Sequence, residues 1–75
     1  MNKGHRETVI AVLEGLLNEV NLSDVLDCMG VALKRVDRAA MNNMEGEPMR
    51  VYRAESERAL YVLGVAHRDT KAMGL

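Results

Sequence analysis

Seventy-five residues leave room for one small domain, residues 1–75, and for no second core. Nearly half the chain is apolar (48%), too much for a disordered polymer, yet Tyr52 and Tyr61 are its only aromatics, so the core must be aliphatic with help from six methionines. A net charge of −1 gives no general pull toward nucleic acid, and the single Cys28 excludes an intrachain disulfide; with no signal-peptide pattern, a reducing cytoplasm is the expected location.

The first element falls at about residues 5–20. Val9, Ile10, Val12, Leu13, Leu16, Leu17 and Val20 repeat with a 3.6-residue period, and Glu7, Glu14, Asn18 and Glu19 lie largely opposite. Gly15 inside this helix costs about 1 kcal/mol relative to alanine and leaves space for a neighbouring helix. Asn21-Leu22-Ser23-Asp24 then punctuates the chain, with Asn21 or Ser23 as N-cap and Asp24 complementing the helix dipole. Helical periodicity resumes to about Asn43. Asn42, Asn43, Gly46 and Pro48 mark a loop, and Pro48 suits the first turn of a last helix at roughly 49–67. The centre of that helix is apolar nearly all round, which predicts burial on two sides; Val51, Tyr52, Leu60 and Leu63 are its expected core and dimer residues.

The stretch from Leu22 to Met41 carries the most specific pattern. Gly30 stands at its ninth position, with Val25, Met29, Val31, Val36 and Ala39 at the fourth, eighth, tenth, fifteenth and eighteenth. This resembles the helix-turn-helix of bacterial and phage repressors, where the glycine supplies a turn and the apolar residues pack two helices together. Leu26 stands at the fifth position, which in that motif is normally alanine or glycine. Asn42-Asn43, Glu57-Arg58-Ala59-Leu60, Leu63-Gly64-Val65 and the final Ala72-Met73-Gly74-Leu75 look like later parts of the lac-repressor headpiece. The resemblance implies a recognition helix from Ala32 to Met41, with Ala32, Leu33, Lys34, Arg35, Asp37 and Arg38 at duplex DNA. Arg38 would read a guanine edge, and Lys34 and Arg35 would neutralise phosphates. A dimer would hold two such helices about 34 Å apart.

The same residues also read as one continuous helix. Val25, Met29, Ala32, Leu33, Val36, Ala40 and Asn43 then share a face, with Asp27, Lys34, Asp37 and Arg38 opposite and Gly30 as an interior glycine. The fold class is therefore all-α in either case: three helices, or four if residues 22–41 turn. An aliphatic core this small supplies only roughly 3–5 kcal/mol, so a homodimer is expected.

Other chemistry finds little support. Cys28 has no basic neighbour and flanks the apolar face, which predicts a buried, inert thiol. His5 and His67 have no partners at metal-ligand spacing, and His67 is expected to close the last helix. The eleven carboxylates are scattered over amphipathic faces rather than paired, and no phosphate-binding glycine loop occurs. Neither catalysis, a cofactor, a metal nor a small-molecule substrate is expected, and no apolar run approaches the ~20 residues of a membrane span. Met41, Met44 and Met49 cluster at the loop, as core-edge packing or as an adaptable binding surface. Two functions stay open: a dimeric helix-turn-helix transcriptional regulator, or a helical adaptor or inhibitor that binds another protein.

Overall fold

The structure, a computed structural model, describes residues 1–75 and contains three helices and no strand: α1 (Lys3–Glu19), α2 (Leu22–Met41) and α3 (Gly46–Ala72). Each helix begins where backbone chemistry permits. Asn2 caps α1 by accepting a hydrogen bond from the His5 N–H at 2.7 Å, so this helix starts two residues earlier than periodicity alone predicts. Asn21 occupies the N-cap of α2 but makes no side-chain cap bond there. Gly46, with φ of +66°, opens α3 in the left-handed region where a side chain is strained, and Pro48 sits in the first turn as expected.

α2 is unbroken. Gly30 lies inside it with no positive φ, so residues 22–41 adopt the single-helix alternative and not the two-helix, four-helix-domain arrangement. The apolar period continues in phase on both sides of Gly30, and that continuity outweighs the roughly 1 kcal/mol cost of one interior glycine.

α3 also exceeds its expected bounds, running past His67 to Ala72. Its end is a Schellman turn: Gly74 (φ +79°) reverses the chain, the Leu75 N–H donates to the Thr70 carbonyl at 2.9 Å, and the Gly74 N–H donates to Lys71 at 3.1 Å. That reversal carries Leu75 back to the start of α2. There its main-chain oxygen accepts from the Ser23 N–H at 3.1 Å and the Ser23 hydroxyl at 3.3 Å. His67 completes the stitch, its Nδ1–H donating to the Ser23 carbonyl at 2.8 Å, and this is its role in place of closing the helix.

α2 and α3 form an antiparallel hairpin around the 42–45 turn, whereas α1 touches only α2 and does not reach α3. The result is a plate 41 × 33 × 16 Å. Its radius of gyration is 14.6 Å, against the roughly 11 Å of a compact chain of this length. Only Val25, Ser23 and Asp37 are buried, and Val25 alone is apolar. A single chain therefore has almost no core.

Candidate interaction surfaces

Two surfaces of α2 stand out, and helix geometry assigns them. Positions 25, 28, 29, 32 and 36 follow one stripe, while 23, 33, 37 and 40 follow the neighbouring stripe that meets α3. The first stripe faces α1. Leu13, Leu16 and Val20 of α1 and Val25, Cys28, Met29 and Ala32 of α2 line a wholly apolar groove of about 270 Å³. Its walls remain open to solvent, with Leu16 43%, Val20 39% and Met29 42% exposed. Val36 continues the stripe beyond the reach of α1 and is 62% exposed. Cys28 is exposed in this groove, not buried as the sequence predicts, because α1 packs too sparsely on α2 to cover the stripe on which it lies.

The second surface is polar and sits between α2 and α3. Asp37, read from periodicity as part of the outer polar face, is the most buried residue of the chain at 3% exposure. Tyr52 Oη donates to its Oδ1 at 2.6 Å and the Ser56 hydroxyl donates to its Oδ2. These two α3 hydroxyls, four residues apart and thus on one helix face, replace the water that the carboxylate loses on burial. The hydrogen bond to Asp37, then desolvation, then the carboxylate's negative charge raise the Tyr52 phenol above its usual 10.0, since each disfavours a phenolate there. Lys34, Arg38, Arg53 and Glu57 rim the hollow above this cluster.

The six residues expected at DNA therefore do not share one face. Ala32 lines the apolar groove, Leu33 is half-buried and Asp37 points into the hairpin. Lys34, Arg35 and Arg38 are exposed, with no carboxylate in ion-pair range. Of the expected core residues on α3, Tyr52, Leu60 and Leu63 are half-buried, while Val51 is 53% exposed. Met41, Met44 and Met49 are half-buried around the turn. The segment 72–75, likened to a later part of that headpiece, forms the Schellman turn. No three His, Cys, Asp or Glu side chains converge as metal ligands, and no helix is long and apolar enough to cross a membrane.

No protein-family profile matches the chain, and neither the curated proteins nor the solved structures contain one with significant similarity to it.

Proposed function

We propose that this chain is a helical protein-binding module whose working surface is the apolar groove between α1 and α2. One observation carries the reading: α1 presents Val12, Leu13, Leu16, Leu17 and Val20 to solvent, from 37% to 58% exposed, on a helix that packs against almost nothing of its own chain. An exposed apolar stripe of that width marks an interaction site, and an amphipathic helix laid into the groove covers it. The test compares proximity cross-linking in cells of the wild type, Leu16→Lys in the groove and Val62→Lys on the exposed side of α3. A cross-linked protein lost with Leu16→Lys and kept with Val62→Lys supports the groove. Equal capture by all three chains removes it.

Duplex DNA is the second reading, favoured by one observation: Lys34, Arg35 and Arg38 are free, exposed cations within two turns of α2. Binding through them is of the phosphate-neutralising kind and carries a steep salt dependence. Fluorescence anisotropy with mixed-sequence duplex at about 50 and 200 mM salt tests it. Binding that collapses across that range and is lost in Arg38→Ala supports DNA; no binding at the lower salt removes it.

A further inference from the structure

We infer that the groove between α1 and α2 is filled by the same groove of a second copy, so that two plates interlock face to face about a twofold axis. The inference rests on the groove being a protein-binding surface and names what binds. Four helices, α1 and α2 from each copy, then form the central layer, with the two α3 helices outside it.

Three observations lead there. The first is area. The chain exposes 6049 Å², whereas a compact monomer of 8.3 kDa exposes about 4,600 Å². The excess is about 1,400 Å² per chain, well above the ~800 Å² per partner of a standard-size stable interface and within the range of permanent homodimers. The second is the missing core. With Val25 as its only buried apolar residue, the folded chain needs cover at all times, and a partner present whenever the chain is present is another copy of it. The third is fit. An isologous interface must complement itself, and a V of two apolar helices meets this requirement, because each α1 ridge enters the V of the other copy. Charge does not oppose the pairing: the groove has no ionisable group other than the Cys28 thiol, and each chain carries a net charge of only −1.

The arrangement makes Cys28 its own reporter, since the thiol is exposed in one chain and covered in two. The experiment is sedimentation equilibrium of the full chain across a concentration series, with the reaction rate of Cys28 toward an aromatic disulfide reagent followed on the same samples. The expected result is twice the 8.3 kDa chain mass, together with a thiol rate that falls at least tenfold as dimer forms. Val62→Lys, on α3, keeps both properties. Leu16→Lys sediments as a monomer and restores the fast thiol; circular dichroism reports whether it stays helical, and the wild-type series decides alone if it does not.

A dimer whose Cys28 reacts as fast as the unfolded chain's overturns the assignment of this face, and any wild-type mass other than two copies overturns the pairing. A wild-type monomer that still captures another protein through Leu16 overturns the second copy but leaves the protein-binding reading standing. A monomer without groove-dependent capture removes both.

Discussion

Asp37 shows how much one carboxylate can organise in a chain with so little apolar burial. It is nearly inaccessible, and two hydroxyls satisfy it without any cation. Replacing it with alanine leaves the Tyr52 and Ser56 hydroxyls facing a small void, and Asp37→Ala is expected to destabilise the fold by about 2 kcal/mol. Urea unfolding followed by circular dichroism measures the loss, and an unchanged midpoint would place Asp37 in water. Tyr52 adds a pH signature. Its folded pKa is raised, so its contribution is complete below about pH 10 and disappears as pH climbs through the elevated folded value. Ultraviolet titration should show a phenol ionising above pH 10.0 that vanishes in Tyr52→Phe and returns toward the ordinary value in Asp37→Ala. None of this inward turn is legible in the periodicity of α2, because a helical wheel assigns charged positions to solvent. The one available signal lay on the other helix, where Tyr52 and Ser56 place two hydroxyls on a single face.

At the scale of the elements, the three helices were legible because their apolar residues recur at helical spacing, but their ends depended on local polar groups. Asn2 lengthens α1 at its start, and Gly74 with the Schellman turn lengthens α3 at its end. Both residue types are ordinary cap signals, and each lies just outside the apolar stripe that defines the helix. Gly30 posed the opposite problem, since a glycine at a turn and a glycine inside a helix look alike in one dimension. A substitution separates them. Gly30 has no positive φ, and a Cβ built there meets nothing within 4 Å, so Gly30→Ala should raise stability by roughly 0.5–1 kcal/mol through helix propensity. Thermal denaturation reads the sign. A lower melting temperature would mean that residues 22–41 bend at this glycine after all. The candidate groove was only half legible: the sequence shows an apolar face on each helix, but the wide opening between α1 and α2 arises from the short Val20–Asn21 corner and has no one-dimensional mark.

For the whole molecule, the decisive property is flatness: the plate is 16 Å thick, against the roughly 10–12 Å diameter of one helix, and folding alone buries little of its apolar surface. Within the plate, α2 and α3 are fastened at two points of very different sequence separation. The Asp37 cluster joins residues 15 and 19 apart, beside the turn, while the stitch at Ser23 joins residues 44 and 52 apart, at the open end. Closing the longer loop costs about 1 kcal/mol more chain entropy, which makes the turn end the cheaper place to begin. The two fasteners therefore divide the kinetics between them. Asp37→Ala should slow refolding, and His67→Ala should mainly hasten unfolding, in stopped-flow denaturant jumps at fixed protein concentration. If the roles are exchanged, the hairpin nucleates from its distant ends. If they hold, the bond between Leu75 and Ser23 acts as a clasp that closes last and sets how long the native hairpin survives between openings.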